Sequence, residues 1–301
     1  MFNKGVFYAF GAYFIWGLFP IYWRLLKQVA AVQLLGHRIT WSFILLAMVL
    51  SVKRKWPELR ILASDRRTFR IYLAAAMLIG MNWFVFVWAV NHDYVVETSL
   101  GYFINPLLSV LMGVILLRER LRFLQWASIA FAAVGVIYLT FTYGRLPWIA
   151  LALALTFGFY GLAKKIAPLN SLYGLTLETG ILFVPAVFFL YWQNWAGRGA
   201  FLHQGLLSDL LMAGAGLVTT VPLLMFASAA QRIPLSMIGT IQYVTPTIQF
   251  LLGVLLYREG FSSAQAVGFG IIWASLIIFW VEGFLSRRTI PAEPVPELGE
   301  G

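Results

Sequence analysis

The chain has 301 residues, of which 61% are hydrophobic and 11% charged, and its formal net charge at pH 7 is +10. Soluble domains hold about 45–50% apolar and about 25% charged residues, so a water-soluble fold of this length would lack the polar side chains to cover its surface. A nucleic-acid partner is excluded by the placement of the charge, since Lys and Arg sit in short clusters between apolar runs, as charges that orient a membrane protein do. The chain has no cysteine, which removes disulfides and thiolate metal sites.

Lipid is therefore the expected solvent, and a helix needs about 20 mostly apolar residues to cross its hydrocarbon core. The first such window, residues 5–23, follows Lys4 and is longer than the roughly 7–15 apolar residues of a signal peptide, so it is read as a retained span. Nine more follow, at 33–52, 71–91, 96–117, 123–143, 147–163, 171–192, 207–228, 235–256 and 263–284. The third and fourth are separated by the polar break from Asp93 to Glu97. The connections are too brief for a soluble domain, and the tail, residues 285–301, is rich in Pro and Glu and expected to be disordered. The fold class is thus all-α and integral to the membrane, with ten transmembrane helices. If the N-terminus is cytoplasmic, sixteen of the 22 Lys and Arg face the cytoplasm and six the opposite side, which predicts both termini inside a bacterial-type inner membrane.

The fourth and ninth windows repeat at an offset of 140: Pro106, Leu111, Gly113, Val114, Leu116, Arg118 and Glu119 recur as Pro246, Leu251, Gly253, Val254, Leu256, Arg258 and Glu259, and Gln125 recurs as Gln265. Seven identities in fourteen positions exceed the roughly one or two that composition would give. The chain reads as two repeats, 1–143 and 147–284, of five spans each. Five is odd, so the second repeat enters from the opposite face and the repeats are inverted, an arrangement recurrent in secondary transporters.

Polar side chains inside the spans mark a candidate site. The fourth span carries Thr98, Tyr102, Asn105 and Ser109 on one helix face. The ninth carries Gln242, Thr245 and Gln249 in the same register, with Tyr243 beside them. Such groups are costly in hydrocarbon without partners or water, so the matched stripes line a shared cavity or bond neighbouring helices. Pro106 and Pro246 permit kinks, and Asn82 and Pro222 occupy matched positions in the third and eighth spans. Arg38 and Glu178, also 140 apart, are ionisable residues within spans. They would mark outer and inner vestibules of one pathway, with Glu178 a candidate proton carrier; otherwise Arg38 snorkels outward and Glu178 pairs with Lys164 or Lys165. The Arg–Glu pairs at 118–119 and 258–259 would close their helices, Arg complementing the C-terminal dipole. The small-residue pairs Ser128/Ala132 and Gly270/Ala274 suit helix contact within or between protomers, which leaves a homodimer open.

An enzyme would need clustered acids, a metal site or a nucleophile with its base. His37, His92 and His203 are the only histidines, and HExxH, GxSxG and GxxxxGK[ST] are absent. No cofactor is expected; the partners are a small-molecule solute and membrane lipid. A non-transporting enzyme or partner subunit is the alternative, and the predicted lining weakly favours a zwitterionic or weakly anionic amphipathic solute.

The segments IWGLFPIYW (15–23), HRITWS (37–42), MNWFVFVWAVN (81–91) and SLGYFINPLLSVLMG (99–113) with RERL (118–121) resemble the drug/metabolite transporter superfamily, EamA type, in its RarD-like branch. The second half, IQYVTPTIQFLLGVLLYRE (241–259), is less close to the branch pattern. The resemblance implies a ten-helix inner-membrane carrier of two inverted five-helix repeats with a central cavity, whose relatives export or exchange amino acids, metabolites, nucleotide sugars or drugs. It also implies cavity roles for His37, Arg38, Trp41, Asn82, Trp83, Tyr102 and Asn105.

Overall fold

The computed structural model describes residues 3–92, 94–143, 146–256, 258 and 263–288. Asp93, Glu259 and the tail beyond Arg288, all used above, lie outside the described residues. The described regular structure is helical: α1 (Lys4–Gly17), α2 (Phe19–Arg24), α3 (Ala31–Val52), α4 (Trp56–Ala63), α5 (Arg66–Asn91), α6 (Val95–Ile115) and α7 (Phe123–Tyr143), then α8 (Trp148–Ile166), α9 (Ser171–Trp195), α10 (Leu206–Ala230), α11 (Leu235–Gln242), α12 (Val244–Leu251), a π-helical turn (Leu252–Leu256) and α13 (Ser263–Arg288). Among the described residues eight helical segments are long and apolar enough to cross a membrane. Two further windows hold shorter apolar stretches, Leu100–Ile115 in α6 and Ala266–Glu282 in α13. The last helix runs on to Arg288, four residues past the expected end of its span at 284.

Two windows are broken, each near a proline. Between α1 and α2, Pro20 has no N–H to offer the carbonyl of Trp16, which accepts instead from the Gln249 side chain at 3.4 Å. The ninth window divides at Tyr243, just before Pro246, and ends in the π-helical turn. By contrast, α6 passes Pro106 as one helix.

The 140-residue offset extends from sequence to backbone. Helices α3, α5, α6 and α7 begin at 31, 66, 95 and 123, and α9, α10, α11 and α13 begin at 171, 206, 235 and 263. Arg118 and Arg258, at the matched C-terminal ends, both take the left-handed conformation, with φ of 56° and 52°. A non-glycine residue is uncommon there except as a helix stop.

The chain divides into two compact units. The larger, residues 1–119 and 145–260, has its core where α1, α3, α5, α8, α10 and α11 meet, around Ala9, Tyr13, Leu46, Ile79, Tyr160, Leu223, Phe226 and Ile238. Small residues bring its helices close: a Cβ on Gly216 would stand 2.5 Å from the Trp41 carbonyl carbon, and one on Gly239 would stand 2.6 Å from the Pro106 carbonyl oxygen. The short helix α4, absent from the sequence reading, tucks Leu59 beside Leu50, Tyr72 and Tyr173. The smaller unit, residues 120–144 and 261–301, pairs α7 with α13. There Gly135 lies against Ile272 and the Gly268 carbonyl, Ser128 and Ala132 are buried, and Arg122 bonds Glu282 at 3.1 Å.

Candidate functional site

The larger unit encloses a cavity of about 460 Å³, within the roughly 300–1,000 Å³ usual for small-molecule sites. Its walls come from the last turns of α1, α2, the first two turns of α3, the C-terminal half of α5, the N-terminal halves of α6 and α8, Leu223 in the C-terminal half of α10, and the α11–α12 break. Aromatic rings dominate: Trp16, Phe19, Trp23, Trp83, Phe86, Tyr102 and Phe157 all line it.

One cation enters this apolar space. Arg38 donates from Nε to the Thr219 hydroxyl at 3.1 Å, and its guanidinium carbon lies 4.7 Å from the centre of the Trp83 ring, 5.1 Å from Trp23 and 5.9 Å from Phe19. Among the described residues no carboxylate lies in ion-pairing range of it. Among the described residues the lining contains no Asp, Glu, His or Lys. No three acids or histidines gather as a metal site among the described residues.

The polar stripes divide between bonding and lining. Asn82 donates from Nδ2 to the Leu153 carbonyl and the Thr156 hydroxyl, both at 2.9 Å, tying α5 to α8. Thr245 donates to the Tyr13 carbonyl at 2.7 Å, and the Tyr13 hydroxyl donates to Gln242 Oε1 at 3.3 Å. Thus the stripe on α11 and α12 both lines the cavity and fastens α1. Asn105 is different. It is 5% exposed, lines the cavity, and its buried Oδ1 has no hydrogen-bond partner among the described residues. Buried amides without partners are rare and costly.

Of the thirteen residues singled out from sequence, the cavity gathers eight: Arg38, Asn82, Trp83, Tyr102, Asn105, Gln242, Thr245 and Gln249. The other five lie elsewhere. His37 and Trp41 turn to the loop ring of Phe201, at 5.2 and 5.9 Å between centroids, because Arg38 takes the inward face of α3. Ser109 packs at the close approach of α6 to Gly239. Tyr243 donates its hydroxyl to the Phe103 carbonyl at 3.4 Å, a contact between positions 140 apart. Glu178 accepts from Lys164 Nζ at 2.6 Å and from the Tyr160 hydroxyl at 3.0 Å, with acid and amine both 1% exposed, so it forms a closed ion pair away from the cavity. The wall that sequence reasoning left unassigned is α1–α2 with Phe86 and Phe157. Its signal was the aromatic segment 15–23, which reads equally as an interfacial belt.

Beyond the Lys164–Glu178 pair the unit is tied by further polar bonds. Glu119 accepts from the Leu235 and Ser236 N–H groups at 2.6 and 2.9 Å, Lys165 donates to the Ile233 carbonyl at 2.7 Å, and Gln231 donates to the Leu169 carbonyl at 2.6 Å. They lie at the end of α8, the start of α9, the end of α10 and the start of α11; in α8 and α11 the lining residues come from the other end of the helix.

Comparison with known proteins agrees with this architecture. The EamA-like transporter family matches residues 3–141 and 146–281. "Protein RarD" of Streptomyces exfoliatus is 44% identical over 286 residues, covering 95% of this chain and 91% of that protein. "Uncharacterized transporter YojE" of Bacillus subtilis is 45% identical over 281 residues, covering 92% and 93%. "Protein RarD" of Escherichia coli is 40% identical over 286 residues, covering 95% and 97%. A solved crystal structure with 18% identity superposes with a TM-score of 0.70 over 94% of this chain and 98% of its own, which shows likeness of fold.

Proposed function

This chain belongs to the EamA-like transporter family, in its RarD-like branch, and we propose that it is a multi-pass secondary-active or exchange carrier that exports a small metabolite, amino acid or amphipathic drug by alternating access. The carrying observation is the cavity itself. Its walls include the N-terminal half of α8 and the C-terminal end of α11, while the opposite ends of those two helices are tied by Lys164–Glu178, by Lys165 to the Ile233 carbonyl and by Glu119 to the Leu235 and Ser236 N–H groups. One relative's printed name, "Chloramphenicol-sensitive protein RarD" of Pseudomonas aeruginosa, is the reason to count a drug among the solutes.

Ten spans in two inverted repeats, 1–143 and 147–284, underlie the mechanism. The reading is supported by the matched helix starts, the paired left-handed arginines and the contact between Tyr243 and Phe103. Inverted halves that exchange conformations exchange which end of the cavity is open. The charge bias supports a bacterial inner-membrane orientation with both termini on the cytoplasmic side, in which the open end faces outward.

Two experiments test the proposal. Proteoliposomes loaded with mixed amino acids, sugars, nucleotides and chloramphenicol are assayed by mass spectrometry for protein-dependent loss of any solute. Flux is expected from wild type and is abolished in Arg38→Ala and Asn105→Ala, while both variants insert normally; wild-type flux from both removes the cavity from the pathway. The cysteine-free chain also permits single-cysteine labelling. A cysteine at Trp23 and one at Gly161 should react with an impermeant maleimide from opposite sides; labelling of both from one side would rule out alternating access.

A further inference from the structure

Building on the transport reading, we propose that the cavity's ligand is an aromatic organic anion, its carboxylate paired with Arg38 and its ring held among Trp23, Trp83 and Phe19. An arginine has five N–H donors. In this site Nε is spent on Thr219, and the guanidinium is otherwise met by the rings of Trp23, Trp83 and Phe19. A hydroxyl and aromatic faces hold a cation in place but leave its charge uncompensated. The two Nη groups are therefore the unspent donors of the only guanidinium among the described residues of the lining, and a carboxylate matches their planar, paired geometry.

The same geometry argues against other charge types. A cationic solute, or the ammonium end of a zwitterion, would enter a space with one fixed positive charge and no carboxylate among the described residues of its lining. Tyrosine and threonine hydroxyls, amides and ring faces are the described groups there to receive it. A neutral aromatic would fill the apolar volume but leave Arg38 without a counter-charge inside the membrane, where an unpaired ion is costly. The amide of Asn105, with its Oδ1 unpartnered, supplies a second polar contact for an N–H or O–H on the ligand's ring.

The test compares acids with their own neutral and cationic analogues. The full-length protein in phosphatidylcholine nanodiscs is titrated with benzoate, 3-phenylpropionate and indole-3-acetate, then with benzamide, phenethylamine and phenylalanine, reading thermal shift and calorimetric Kd. The carboxylates are expected to bind at least tenfold tighter than the amide and the amine. Arg38→Gln should lose at least tenfold in carboxylate affinity, and Arg38→Lys should retain part of it. The acid-to-amide comparison uses wild-type protein alone and stands even if a variant fails to fold. Equal binding of benzamide and benzoate, tighter binding of the amine, or no shift from any carboxylate overturns the inference. So does loss of carboxylate binding when phosphatidylglycerol is added, because a lipid headgroup would then be the anion at Arg38. Flux separates this inference from the transport reading. Carboxylate binding without liposome flux sinks the carrier and leaves the anion site. Flux of a neutral or cationic solute, unaffected by carboxylates, does the reverse.

Discussion

Replacing Glu178 by Gln tests whether the Lys164–Glu178 pair is as closed as its geometry states. Nζ and Oε1 are 2.6 Å apart, both side chains are 1% exposed, and the second carboxylate oxygen accepts from Tyr160. Glu178→Gln keeps the shape and a hydrogen-bond acceptor but removes the counter-charge, leaving the charge of the Lys164 ammonium to a neutral amide and the rings of Tyr72 and Tyr160, at 5.4 and 5.8 Å. Removing one member of a buried pair costs about 3–5 kcal/mol, whereas replacing both by apolar side chains is often neutral or stabilising. Lys164→Met should therefore cost as much as Glu178→Gln. The double variant Lys164→Met/Glu178→Leu should recover to within about 2 kcal/mol of wild type, the remainder being the orphaned Tyr160 hydroxyl. Reversible unfolding of the four proteins in mixed SDS–detergent micelles gives the cycle. Single variants that lose less than about 1 kcal/mol, or a double variant that loses the sum of both, would refute the closed pair, since the ions would then be finding water.

Gly239→Ala places a Cβ 2.6 Å from the Pro106 carbonyl and 3.0 Å from Ser109 Cβ, forcing α6 and α11 apart, and should destabilise by about 1–3 kcal/mol in the same assay. Gly270→Ala, with open space around it, should instead gain about 0.5–1 kcal/mol of helix propensity. Glu119→Ala strips two backbone N–H groups at the start of α11 of their acceptor, and should cost about 1–2 kcal/mol with faster hydrogen exchange at 235–238. The Asp65 carboxyl, bonded by the Thr68 hydroxyl and backbone N–H, is held below its ordinary value of 3.8. Its contribution to the start of α5 is present above that pH and is lost as pH falls through the lowered folded value, so Asp65→Asn should flatten the acid limb of the stability profile.

The spans were legible because their signal is coarse: about 20 apolar residues in a row cannot be mistaken for a loop. The offset of 140 was legible because Pro106 and Pro246 open matched stretches of fourteen residues with seven identities. Finer features were hidden where a residue's type does not fix its direction. His37, Arg38 and Trp41 stand within five residues on α3, yet only Arg38 reaches the cavity, because a helix turns about 100° per residue. The break at Leu18 was invisible because Pro20 also fits the first turn of a new helix, where its missing N–H costs nothing. Helix α4 escaped because eight residues with two charges carry too little periodicity to separate helix from loop.

Arg38 and Glu178 occupy the same place in the two halves and meet opposite fates, one at an open cavity and one in a sealed pair. Under the proposed alternating access, opening the far end requires Glu178 to part from Lys164. The attraction between the two charges, which the variant cycle isolates from net stability, then also helps to hold that end shut. Removing the charges together should keep the fold yet weaken the seal. The double variant Lys164→Met/Glu178→Leu should therefore raise the labelling rate of a cysteine at Gly161 and lower that of one at Trp23. A shift of the two-state balance must move both rates in opposite directions. If the Gly161 rate rises while the Trp23 rate stays fixed, the far end has merely loosened, and the pair belongs to the scaffold rather than to the gate.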